Sequence, residues 1–162
     1  MVDSGTYQES VVLERVFGAP IELVWKMWTD PTSFKAWYGP AGATVPIAEL
    51  DVWPGGRRRV CMAVGPSEMW FTGQHREVTE PTRLVYTETI ADERGNPISA
   101  ESLGLPPKTP ETTEVTVVLD EVNGGTRVTL THAGVPAESG AARGWNGAFD
   151  KLGAHLRAAT GT

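Results

Sequence analysis

The chain has 162 residues, with 14 basic against 20 acidic side chains, a net charge of −6 and 40% hydrophobic residues. That is the length of one domain with enough apolar material for a core, and it excludes a disordered or repeat architecture. The acidic balance argues against general nucleic-acid binding, which needs a basic footprint.

Residues 9–17 (ESVVLERVF) are rich in β-branched residues and predict a strand. Pro20 then opens a helix in which Val24 and Trp28 share one face and Ile21 and Trp25 an adjoining one. Asp30 is a helix cap and Pro31 a first helical residue, so a second short helix carries Phe34 and Trp37 until Tyr38-Gly39-Pro40 stops it. From residue 43 the period changes to two. Strands are expected at 44–52, 57–64, 68–79, 83–90, 113–121 and 126–133, joined by turns at Pro54-Gly55-Gly56, Gly65-Pro66, Glu80-Pro81 and Asn123-Gly124-Gly125. The connector 91–111 is too long for a hairpin loop and contains four prolines; loops of this kind tend to be functional, and a lid is expected here. Residues 138–159 return to a helical pattern, with Ala141, Trp145, Ala148, Phe149, Leu152, Leu156 and Ala159 on one stripe. Gly140, Gly144, Gly147 and Gly153 interrupt that helix, which calls for a close backbone approach or space kept open beside it.

The order predicts an α+β domain: a seven-stranded curved antiparallel sheet wrapped around a long C-terminal helix, with two short helices after the first strand. One helix does not fill the concave face, so a cavity is expected.

Several sites are unfavoured by the sequence. Cys61 is the only cysteine, so no internal disulfide forms, and no nucleophile motif surrounds it. His75, His132 and His155 lack metal-ligand spacing. No metal or cofactor is expected. The N-terminus carries no secretory pattern, and no apolar run is long enough to span a bilayer, which gives the expectation of a cytoplasmic protein without membrane insertion.

Strand parity supplies the site candidates. Phe71 and His75 share one face of the strand 68–79, Tyr86 and Glu88 share one face of 83–90, and His132 lies on the matching face of 126–133. With Trp37, Trp145 and Phe149 they form the candidate ligand-binding set: Trp37, Phe71, Tyr86, Trp145 and Phe149 as apolar wall, with Trp37 at the mouth, and His75, Glu88 and His132 as polar groups. A histidine paired with Glu88 is the acid–base alternative. Arg57, Arg58 and Arg59 are adjacent, but alternation turns Arg58 away from the other two, so they are not one basic patch.

The stretches LERVFGAPIELVWKMWTDPTSFKAWYGP, AELDVWPGGRRR, LVYTE, GGTRVTLTHAGVP and GWNGAFDKLGAHL, in this order over about residues 9–158, resemble the START-related helix-grip superfamily. More narrowly they resemble the family named after the activator of the heat-shock-protein-90 ATPase, and DERGNP with GLP in the long loop is similar to a subset of its bacterial members. The resemblance implies a helix-grip fold with a hydrophobic cavity between sheet and terminal helix. It implies binding of a small hydrophobic or amphipathic molecule, with a cyclase- or dehydratase-like enzyme and a co-chaperone-like interaction module as alternatives. An exposed edge strand leaves room for a homodimer. Relatives usually carry arginine at the place of Trp53 and often an aromatic at that of Arg58; the exchange suggests a cross-strand cation–π pair between Trp53 and Arg58.

Overall fold

Asp30 begins the second helix as expected: its carboxylate accepts hydrogen bonds from the Ser33 backbone N–H and hydroxyl, both at 3.0 Å. These bonds hold its pKa below the ordinary carboxylate value. The computed structural model describes residues 9–99, 101–104, 110–135 and 140–161. In chain order they form β1 (Ser10–Phe17), α1 (Ile21–Thr29), α2 (Pro31–Lys35), β2 (Thr44–Leu50), β3 (Arg57–Val64), β4 (Ser67–Thr79), β5 (Arg83–Ala91), β6 (Thr112–Val122), β7 (Gly125–Ala133) and α3 (Gly140–Thr160). Pro20 is the cap of α1, one position earlier than expected.

The sheet order is β1-β7-β6-β5-β4-β3-β2, antiparallel throughout. Strands β2 to β7 run as a meander, and β1 pairs with β7, which leaves β1 and β2 as the two edges. The β6–β7 turn places Asn123 and Gly124 at φ 44° and 81°, the two positive values a tight type I′ hairpin needs. The inward residues Leu84, Val115, Val117, Leu119, Val128 and Leu130 pack against Trp145, Ala148, Phe149, Leu152 and Leu156 of α3. Ala159, expected on this stripe, is exposed. Trp25 and Trp28 are core residues, as their helical spacing predicts.

The α3 glycines receive a local explanation. A Cβ at Gly147 would stand 2.9 Å from the backbone nitrogen of Ala41, so α3 approaches the 38–43 loop closely, and the loop rather than the sheet requires that glycine. Lys151 fixes the same loop: its Nζ donates to the carbonyl oxygens of Pro40 and Ala43, both at 3.1 Å, and of Tyr38 at 3.4 Å. At Gly144 an added Cβ would meet only Pro40 Cβ at 3.6 Å, an ordinary contact. The two positions therefore have opposite expected outcomes. Gly144→Ala stabilises the protein by about 1 kcal/mol through helix propensity. Gly147→Ala destabilises it, because the loop backbone must move. Urea unfolding of the two variants checks the sign of each.

The first part of the long connector folds onto the outer face of the sheet. Asp92 accepts from the Arg94 and Asn96 backbone N–H groups, Arg59 donates to the Glu93 carbonyl at 2.7 Å, and Gly95 comes near Thr72. Arg59 also lies 4.3 Å over the Trp70 ring. A lid over the inner face is therefore left to residues beyond Ser99, of which 100 and 105–109 lie outside the described residues.

Candidate functional site

Two neighbouring rungs of the inner sheet face carry its polar groups. Across the first, Val11, His132, Val115, Tyr86 and His75 lie opposite one another in turn; across the second, Leu50 faces Arg58, Arg58 faces Gly73, and Glu88 faces Thr113. Glycine at 73 is decisive. Strands β3 and β5 flank β4 and are separated by two strand spacings, about 10 Å. A side chain between them would block Arg58 from Glu88. A Cβ at Gly73 would also fall 1.9 Å from the Thr87 carbonyl oxygen. With the place vacant, Arg58 reaches over β4 and its Nη1 donates to Glu88 Oε2 at 3.2 Å.

This ion pair is buried, with Arg58 4% and Glu88 8% exposed. The guanidinium carbon lies 3.7 Å from the Tyr86 ring centroid, 5.3 Å from Phe34 and 5.5 Å from Tyr38, a cation held among aromatic faces. The Tyr38 hydroxyl donates to Glu88 Oε2 at 2.9 Å and stands 2.6 Å from the Tyr86 hydroxyl. Tyr38 has one proton, so the chain runs from Tyr86 to Tyr38 to Glu88. Burial, and then the Glu88 charge beside it, raises the Tyr38 pKa well above the phenol value. Burial also raises Tyr86, against the opposing charge of Arg58. Burial works against the charge on Arg58, yet Tyr86, Tyr38 and Glu88 hold its pKa above the usual arginine value.

His132 joins sheet to helix. The Trp145 indole N–H donates to its Nδ1 at 3.0 Å, so Nδ1 carries no proton, and Nε2–H is left to donate to Thr113 Oγ1 at 2.8 Å. Both contacts suit the neutral ring, and burial lowers its pKa despite Glu88. His75 is fully buried at the other end of its rung, its ring 6.4 Å from that of Tyr86. Neither of its nitrogens makes a hydrogen bond, although the Asp51 and Gly56 carbonyls face the ring.

Of the sequence candidates, Tyr86 and Glu88 meet in one cluster and His132 meets Trp145. Phe149 is fully buried beside Trp28, Trp37 and Trp145. Phe71 is half-buried on the inner face, opposite Val60 on one side and Ile90 on the other. Trp37 is not at a mouth: it is fully buried, its indole N–H donates to the Met27 carbonyl at 2.9 Å, and Trp28 packs edge-on at 4.7 Å. Nor does either histidine bond the Glu88 carboxylate, which Arg58 and Tyr38 occupy instead. The cation–π pair of Arg58 with Trp53 does not form. Leu50 is the cross-strand partner of Arg58, and Trp53 stands beyond the end of β2, 58% exposed in the turn.

Arg58, Tyr38 and Thr113 were missed as site residues. Alternation already turned Arg58 away from Arg57 and Arg59, and Gly73 on the facing strand was the available signal for what it reaches. Tyr38 sits in a helix stop, where periodicity is silent.

The profile of the family described as activator of Hsp90 ATPase homolog 1-like protein matches residues 18–157. No curated protein matches the chain. Among solved structures, a Nitrosomonas europaea protein is similar at 22% identity and TM-score 0.76, with 99% of this chain and 100% of that one covered. An Arthrobacter aurescens protein is similar at 23% identity and TM-score 0.76, with 96% and 90% covered. The AHSA1 protein from Silicibacter pomeroyi is similar at 22% identity and TM-score 0.69, with 91% and 96% covered.

Proposed function

The chain belongs to the family of activator of Hsp90 ATPase homolog 1-like proteins, and from that premise we propose that it binds a small hydrophobic or amphipathic molecule between the sheet and α3. The observation that supports this most is the buried cluster of Arg58, Glu88, Tyr38 and Tyr86. Buried charges contribute little to stability compared with apolar residues of the same size, and polar groups gathered in an otherwise apolar interior are a mark of ligand sites. Half-buried Phe71 and Ile90 lie one rung further along the same face and offer apolar contact leading to that cluster. Trp145, His132 and Thr113 border it from the helix side.

In this reading the protein is a cytoplasmic binding protein rather than a catalyst. The acid–base alternative loses its intended pair, because Glu88 is engaged by Arg58 and neither histidine touches its carboxylate. The interaction-module alternative calls for one exposed apolar patch. The exposed large apolar side chains among the described residues are instead spread over Val12 and Val16 on β1, Ile47 on β2, Trp53 in the turn after it, Val64 on β3, Met69 on β4 and Leu103 in the long connector.

Native mass spectrometry of protein purified without additives, then mixed with a panel of lipids and aromatic metabolites, tests the proposal. A one-to-one adduct accompanied by a shift in tryptophan emission is expected. A protein that carries nothing and takes up no member of the panel would overturn it.

A further inference from the structure

Resting on the binding function just proposed, we infer that the buried cluster selects a ligand whose polar end is an uncharged hydroxyl over the carboxylate or amine with the same apolar part. The argument is one of charge balance. Arg58 and Glu88 cancel at 3.2 Å. The other ionisable groups around them are neutral: Tyr38 and Tyr86 are hydrogen-bonded phenols, His132 is held in its uncharged tautomer by Trp145 and Thr113, and His75 is buried without a charged partner within hydrogen-bonding distance. The pKa directions agree, with both tyrosines raised and both histidines lowered. Lys151, the nearby cation of α3, is committed to three backbone carbonyls.

An incoming ion thus finds no free counter-charge at this cluster among the described residues. A carboxylate would have to take Arg58 from Glu88 and leave that carboxylate buried and unpaired, and an ammonium would have to displace Arg58 from its aromatic surroundings. Either rearrangement strands a buried charge, which costs more than a hydrogen bond returns.

A hydroxyl needs no rearrangement. Both hydrogen bonds to Glu88 fall on Oε2, so Oε1 remains an acceptor. The sealed side-chain atoms without a partner, among the described residues, are Trp28 Nε1 and the two His75 nitrogens, and Oε1 is not one of them. Arg58 carries further N–H groups beyond the one given to Glu88. A hydroxyl supplies the one donor and the one acceptor that match this pair, while its apolar chain lies along Phe71 and Ile90.

The test compares decan-1-ol, decanoate and decylamine at pH 7, titrated into the intact protein and followed by the tryptophan indole N–H resonances. Decanol is expected to bind at least about tenfold more tightly than either ion, a difference of about 1.4 kcal/mol. In Glu88→Gln, where Arg58 has lost its counter-charge, the preference moves to decanoate. Equal or tighter binding of decanoate or decylamine to the wild-type protein overturns the inference and leaves the binding function standing. No binding of any of the three also overturns the inference, while the binding function is decided by the broader panel. Should Glu88→Gln fail to fold, the wild-type series decides alone.

Discussion

Arg58→Met will destabilise the protein by about 3–5 kcal/mol, the cost of leaving one member of a buried ion pair without its partner. Glu88 would keep the Tyr38 hydroxyl at 2.9 Å but lose the ionic partner it has among the described residues while 8% exposed. Glu88→Gln is expected to cost a comparable amount, for then the guanidinium is stranded. The double variant Arg58→Met/Glu88→Gln should recover most of the loss, because both desolvation penalties vanish together and methionine fills the space among Phe34, Tyr38 and Tyr86. Urea unfolding at pH 7 of the four proteins gives the coupling directly. The pair Arg59–Glu49 supplies the contrast. It spans 3.5 Å with side-chain exposures of 30% and 63%, and breaking it should cost at most about 1 kcal/mol. If Arg58→Met costs no more than that, the interior pair is solvated and the cluster is not a buried site.

The same residue marks the limit of what the sequence reveals. Strand parity turned Arg58 away from Arg57 and Arg59, and the structure has Arg58 buried, Arg57 exposed and Arg59 between. The helix-grip architecture and every strand were readable for the same reason: alternation and turn chemistry are local. What Arg58 touches depends on register, which is not local. The ladder of β2 with β3 ends at Leu50 and Arg58, leaving residues 51–56 as the turn, so Trp53 has no place opposite Arg58. The Pro54-Gly55-Gly56 turn is fixed from outside the hairpin: Gly55 N–H donates to the His75 carbonyl at 2.7 Å and His75 N–H to the Gly56 carbonyl at 2.8 Å. Gly56 cannot be larger, since a Cβ there would stand 1.9 Å from the Asp51 carbonyl oxygen. Likewise, helical spacing identified Trp37 as an aromatic near a helix end, but could not tell that Trp28, Phe34 and Phe149 enclose it.

His75 will make the protein acid-sensitive in a window above the one where Asp30 and Asp92 act. Burial, and then the positive charge of Arg58, lowers its pKa to about 4 from an ordinary value near 6.5. Between these values the unfolded chain holds a proton that the folded one excludes. Stability is therefore complete above about pH 6.5 and falls as the pH drops toward 4, by about 3 kcal/mol for this one group. His132 is shifted the same way and adds to the loss. Asp30 and Asp92, whose hydrogen bonds lower their pKa values from 3.8, lose their contributions only further into acid. Unfolding free energies measured from pH 7 to 4 should thus decline in the wild-type protein and decline much less in His75→Leu, which also removes two unbonded ring nitrogens from the core. An unchanged slope in His75→Leu would assign the proton uptake elsewhere. Arg58→Met provides the second arm. Without the guanidinium charge the His75 pKa rises toward its ordinary value, so the variant, though less stable at pH 7, loses less on acidification. The destabilisation caused by Arg58→Met therefore shrinks as the pH falls, whereas a simple loss of packing at residue 58 would be the same at both ends of the range.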